Sequence, residues 1–130
     1  MKETSEGYDE VFGADSINLY NAGDIETHFL LRVDFVNKKI PASKMYLDPD
    51  NQLAWSEISA LGKDVYVVFN SRLNLIEGYN DKGYKTGNVY NQYIIAGQFF
   101  KIPLGESVMS FDKSKGEPAV ASIEYNYYYI

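Results

Sequence analysis

The sequence predicts an all-β fold, an antiparallel β-sandwich or barrel with little or no helix, and three observations carry that expectation. Short apolar runs recur at close spacing, each bounded by Gly, Pro, Asn or Asp. Several of these runs alternate apolar and polar residues with the period of two that half-buried strands require. Aromatic residues make up 15% of the chain, twelve of them Tyr and seven Phe, and such rings suit a pleated surface.

Taken in order, residues 1–12 carry Glu3, Glu6, Asp9 and Glu10 without apolar periodicity and read as an arm or linker. Residues 13–130 then read as one sandwich domain. Ile17–Tyr20 is a first strand, closed by the turn "NAGD". In "HFLLRVDFV", Phe29, Leu31, Val33 and Phe35 alternate with Leu30, Arg32 and Asp34, a strand with one buried face. "NKK" at 37–39 turns the chain, and Pro41 discourages a helix. "KMYLD" and "QLAWS" flank "PDN" as a hairpin would. "EISALGKD" is the one stretch compatible with a helical turn, ended by Gly62.

"VYVVF" (65–69) is apolar on both faces, as a central strand is, and "LNLIEGY" returns after the turn "NSR". Residues 78–91 hold three Gly, three Asn and three Tyr and read as the longest loop. "YIIAG", "FFKIPL" and "SVMSF" supply further strands, with Pro103 and Gly105 at a corner. Phe100, Ile102 and Leu104 are expected on one face, and Ser107, Met109 and Phe111 alternate after the corner. In the last strand Ala121, Ile123, Tyr125, Tyr127 and Tyr129 are expected on one face. Its polar outer face makes it a candidate sheet edge.

Composition narrows the function classes. One domain fits 130 residues, and the 45% apolar fraction is that of a globular chain. A net charge of −6 argues against nucleic acid and against an anionic membrane surface as partners. With no Cys there is neither a disulfide framework nor thiolate chemistry. The acidic start and the lack of a long apolar run point to a soluble protein made in the cytoplasm.

Motifs for chemistry are thin. His28 is the only His, so a zinc site or a His-centred triad has little to build on, and it reads as a strand-end residue. Residues 78–86 approach a phosphate loop. Tyr84 separates Gly83 from Lys85, however, and Gly87 and Asn88 oppose the helix such a loop feeds, so "NDKG" reads as a β-turn. Asp48, Asp50 and Gln52 have calcium-loop spacing without the Gly and closing Glu, and read as a turn. No nucleophile–base pair marks an enzyme, and no cofactor or metal is expected. Trp55, Tyr79, Tyr84 and Tyr90 remain as candidate contacts for a partner protein or for sugar rings.

The order of these signals resembles the C-terminal part of the distal tail proteins (Dit) of long-tailed phages that infect Gram-positive bacteria. The resemblance spans roughly residues 12–130. It is carried by Asn21, Gly23 and Asp24 before a strand, by the turn Phe69-Asn70-Ser71-Arg72, and by Pro103-Leu104-Gly105-Glu106 near the end. It implies a galectin-like sandwich in which Gly23, Asp24, Asn70, Pro103 and Gly105 are turn residues. The family's N-terminal half, which builds a hexameric ring, has no counterpart here. The chain is therefore expected as an excised C-terminal domain or a shortened protein, monomeric as an isolated domain and hexameric in a full-length parent.

The resemblance implies a non-enzymatic adaptor at the virion tail tip, a baseplate component made in the bacterial cytoplasm. Its partners would be the tail tube, a tail-lysin-like hub protein and a receptor-binding protein. The galectin sugar motif is not met. His28 is followed by Phe29, Leu30, Leu31 and Arg32 rather than by His-x-Asn-x-Arg, and Trp55-Ser56-Glu57 is only part of the second element. The alternative reading is a carbohydrate-binding module that recognises host cell-wall polysaccharide through the exposed aromatics.

Overall fold

The computed structural model describes residues 6–11, 16–112 and 119–129. It is an antiparallel β-sandwich. The strands are β1 (Glu6–Val11), β2 (Ser16–Asn21), β3 (Phe29–Asp34), β4 (Lys39–Ile40), β5 (Ser43–Asp48), β6 (Asn51–Trp55) and β7 (Ile58–Ser59). They continue with β8 (Tyr66–Asn70), β9 (Leu75–Tyr79), β10 (Lys85–Val89), β11 (Ile94–Gly97), β12 (Gly105–Phe111) and β13 (Ala119–Tyr128). One sheet runs β1-β13-β3-β8-β9-β10 and the other β11-β6-β5-β12-β2, while β4 and β7 form a short ribbon.

Alternation places the core between the sheets. Phe29, Leu31 and Val33 of β3, Val67 and Phe69 of β8, and Ile123 and Tyr125 of β13 face inward from the first sheet. Ile17, Leu19, Met45, Leu53, Trp55, Met109 and Phe111 meet them from the second. Trp55 packs on Phe69 across the gap, ring centroids 4.8 Å apart. Each such side chain taken out of water contributes about 1.5–3 kcal/mol, so this layer supplies most of the stability.

Five details depart from the sequence expectation. Glu6–Val11, within the expected arm, is a strand paired along β13 from Glu6 with Tyr128 to Val11 with Ile123; residues 1–5 and 12 lie outside the described residues. As a result β13 lies between β1 and β3 and is not an edge. "EISALGKD" forms no helical turn: Ile58 pairs with Ile40, and Gly62, at φ 53°, opens a tight turn closed by Asp64 N–H to the Leu61 carbonyl. The one helical element among the described residues is a 3-10 turn at Asn91–Tyr93.

The fourth departure is residues 78–91, which are a hairpin and not an open loop. Asn80 and Gly83 turn the chain and β10 pairs back on β9. "FFKIPL" is irregular, joined to Thr27 by a single bridge at Ile102; Phe100 and Ile102 are buried but Leu104 is 50% exposed. The NKK, PDN and NSR turns and the hairpins they close stand as expected.

One end of the sandwich is stitched by residues 21–29. Asn21 is buried; its Oδ1 accepts the Gly23 N–H and its Nδ2 donates to the Ile25 carbonyl at 2.9 Å and the Ile102 carbonyl at 3.4 Å. Asp24 N–H donates to the Tyr128 carbonyl at 2.7 Å. Thr27 exchanges both backbone hydrogen bonds with Ile102, and Phe29 N–H donates to Ser71 Oγ. On the β2 edge, the Tyr125 hydroxyl accepts the Tyr20 N–H at 3.0 Å and donates to the Tyr20 carbonyl at 3.2 Å. A sheet edge that would offer free peptide groups is thereby tied to the opposite sheet.

Gly23 and Gly105 then separate two roles of glycine. A Cβ on Gly23 would lie 2.5 Å from the Tyr128 carbonyl oxygen, whereas Gly105, at φ 76°, has open space around it. Gly23→Ala should lower unfolding free energy by about 1–3 kcal/mol through overpacking against fixed backbone, read as a shifted urea midpoint. Gly105→Ala should cost only the left-handed backbone penalty, about 1–2 kcal/mol. A Gly23→Ala protein as stable as wild type would contradict this packing.

Candidate functional site

The aromatic residues singled out by the sequence do not form a platform. Trp55 is fully buried, with its Nε1–H donated to the Pro41 carbonyl at 3.1 Å, and so is removed from any partner. Tyr90 is equally buried. Tyr79 is half-buried and stacked on Tyr66 at 5.0 Å with the rings 7° from parallel, and the Arg32 guanidinium lies over the Tyr66 ring at 3.7 Å. Only Tyr84, 67% exposed at the β9–β10 hairpin, is presented to solvent as expected. Both aromatic corrections have one cause: Trp55 and Tyr90 occupy inward positions where large rings fill the space between sheets.

Tyr90 belongs to a buried polar cluster that the sequence did not reveal. Its hydroxyl donates to Asp64 Oδ2 at 2.5 Å and accepts the Leu61 N–H at 2.9 Å. The Thr86 hydroxyl donates to Asp64 Oδ1 at 2.6 Å and Asn88 Nδ2 to Oδ2 at 3.0 Å. Burial first, then the bond to Asp64, pushes the Tyr90 phenol well above its usual range. A Cβ on Gly78 would overlap the Asp64 carboxylate, and a glycine inside a strand is the signal that marks such a close approach. The cluster joins the 61–65 turn to β9 and β10.

The turn candidates behave as turns. Asp48 Oδ1 accepts the Asp50 and Asn51 N–H groups, and the hydrogen bonds from Asn51 hold the exposed carboxyl below its usual pKa. Among the described residues, no group of three or more His, Asp or Glu is placed to hold a metal ion. No helix of the described residues is long and apolar enough to cross a membrane.

The candidate site lies elsewhere, beside the stitched end. A recess of about 220 Å³ opens on the outer face of the first sheet where β3, β8 and β13 meet. His28 enters it from the start of β3, Asn70 and Arg72 from the turn after β8, and Glu124, Asn126 and Tyr128 from alternate positions of β13. Local chemistry sets each in place. Asn70 Oδ1 accepts the Arg72 and Leu73 N–H groups at 3.1 Å, which directs the turn. The bond from Asp24 to the Tyr128 carbonyl fixes the end of β13. Ser71, just beneath, is buried; its Oγ accepts the Phe29 N–H at 2.8 Å and stands 3.5 Å from His28 Nδ1.

Of the candidate contact and turn residues, only Asn70 reaches this recess, joined there by the strand-end residue His28. Glu124, Asn126 and Tyr128 are visible in retrospect as the outward alternation of "EYNYY". Burial, then the charges of Arg72 and Lys101, lowers the His28 pKa from 6.5, while a bond with Ser71 opposes them. At neutral pH the ring is therefore uncharged, with one donor and one acceptor nitrogen.

No family model matches the chain, and no curated protein and no solved structure matches it either.

Two measurements check these environments. Tyr90→Phe removes a donor from Asp64 and an acceptor from Leu61, so stability should fall by about 1–3 kcal/mol in urea denaturation; an unchanged midpoint would show the cluster to be incidental. For His28, the depressed folded value means that the unfolded chain binds the proton more readily. Its contribution to stability is complete above pH 6.5 and is lost as pH falls below that value. An NMR titration should place the His28 midpoint below 6.5, and Arg72→Ala should move it upward. A midpoint at or above 6.5 in the wild type would contradict the assignment.

Proposed function

We propose that the chain is a non-enzymatic structural and adaptor domain of a phage or prophage tail tip, a galectin-like sandwich of the distal tail protein type. One observation carries the reading. The three short motifs that resemble that family, far apart in sequence, meet on a single segment. Asn21 and Thr27 bind Ile102 at the Pro103–Gly105 corner, Asp24 binds Tyr128 of the last strand, and Phe29 binds Ser71 of the Asn70 turn.

The domain would act by rigid presentation. Two sheets locked at one end hold the surface turns in fixed relation, and the exposed Tyr84, Leu104 and Ile95 offer apolar contacts to neighbouring tail proteins. The partners are the tail tube, a hub protein of tail-lysin type and a receptor-binding protein. The longer parent, with a ring-forming N-terminal half, would be hexameric.

Immunogold electron microscopy of purified particles tests this directly. An antibody to the domain should label the distal end of the tail, and the longer parent should form six-fold rings when purified. Particles without label, or a parent that stays monomeric, would overturn the reading.

A further inference from the structure

We propose that the recess between β3, β8 and β13 is a binding site for a single saccharide ring, a site separate from any docking contact of the adaptor. The first support is its chemistry. Among the described residues, no hydrogen bond or ion pair engages the Arg72 guanidinium, the Glu124 carboxylate or the side-chain amide of Asn126, yet all three line one recess. The Asn70 carbonyl oxygen is occupied by backbone N–H groups, which leaves its amide NH₂ as a donor. Donors and acceptors are thus interleaved around one small space.

That mixture selects among ligand classes. A phosphate or sulfate would be matched by Arg72 but opposed by Glu124. A lipid chain would meet Phe29 and Leu30 but would also bury His28, Asn70, Arg72, Glu124 and Asn126 with no partner for their polar groups. A ring hydroxyl is at once a donor and a two-fold acceptor, so adjacent hydroxyls are satisfied by alternating Arg or amide donors and carboxylate or amide acceptors. Tyr128, half-buried at the rim, supplies an apolar face for the C–H side of the ring. At about 220 Å³ the space lies below the roughly 300–1,000 Å³ that holds a drug-sized ligand, which limits it to one ring.

Preorganisation is the second support. Tyr128 is held through the backbone by Asp24, and the Asn70 turn is closed by its own side chain. Glu124 projects from β13 where it pairs with β1 and β3 on either side, and Asn126 where it pairs with β1. The backbone of the recess is thus fixed before binding, and the ordering cost falls on the Arg72 and Glu124 side chains.

The test is a two-dimensional amide NMR titration of the full chain with glucose, galactose, N-acetylglucosamine, rhamnose and glucuronic acid, with inorganic phosphate and glutamate as comparison ligands. At least one sugar should give saturable shifts confined to residues 27–30, 70–72 and 124–128 and to the side-chain amides of Asn70 and Asn126. Its dissociation constant should be on the order of 1 mM, that of a small ligand held by a few hydrogen bonds. Arg72→Ala and Glu124→Gln, each with a dispersed native spectrum, should weaken binding about tenfold or more. The proposal is overturned if no sugar saturates these signals, if the shifts fall elsewhere, if both variants bind as wild type, or if only phosphate or glutamate binds. None of these results bears on whether the domain resides at a tail tip, which the labelling experiment decides independently.

Discussion

The contact on which the rest of the structure depends is the approach of Gly23 to the backbone of Tyr128. There the missing side chain lets the Asp24 N–H reach the Tyr128 carbonyl at 2.7 Å. The segment that makes this contact carries the chain from one sheet to the other. Docking it on the last strand therefore sets the two sheets relative to each other at that end. Asn21 extends the constraint to Ile102, and Thr27 repeats it through two backbone hydrogen bonds. A chain with any larger residue at 23 would have to separate these layers or abandon the bond.

Energy and specificity are divided between different groups. The inward rings and aliphatic side chains supply the bulk of the stability, because each removes a large apolar area from water. The hydrogen bonds at the stitched end contribute only about 0.5–1.5 kcal/mol each, but they distinguish this arrangement from others with equal burial. Tyr125 does both. Its ring is buried between the sheets, and its hydroxyl closes the free peptide of Tyr20 on the β2 edge. A Phe at that position would keep the area and lose both bonds to the Tyr20 peptide.

How much was legible in the sequence follows from where burial is one-sided. β3 and β13 were readable because one face of each is dry and alternation is the imprint of that asymmetry, whereas β8 was readable as a short apolar run of a central strand. β10 lacks it: at the sheet edge, Lys85, Thr86, Gly87 and Val89 are exposed, so nothing in the pattern distinguishes strand from loop. β1 is held by backbone pairing to β13, and backbone hydrogen bonds leave no mark on residue type. Trp55 and Tyr90 show the reverse error, since an aromatic residue in a turn-rich region suits a surface platform as well as a core. The recess was hidden for another reason. Its residues come from three separated segments, and polar outward positions of strands look alike until register brings them together.

Two polar clusters in this fold invite the same question and receive different answers. Around Asp64 every neighbour is engaged: Tyr90, Thr86 and Asn88 all donate to one carboxylate that is only 5% exposed. Buried polar groups must be satisfied internally, and a set that is satisfied has no capacity left for a ligand. Around Glu124 and Arg72 the opposite holds. The groups are close enough to line one recess, yet they remain solvated and do not bind one another. Water meets their demand at no folding cost, so folding alone does not account for their collection at one place. A saturated cluster is explained by the fold that it stabilises; an unsaturated one, set on paired strands and a closed turn, is explained by what it can receive.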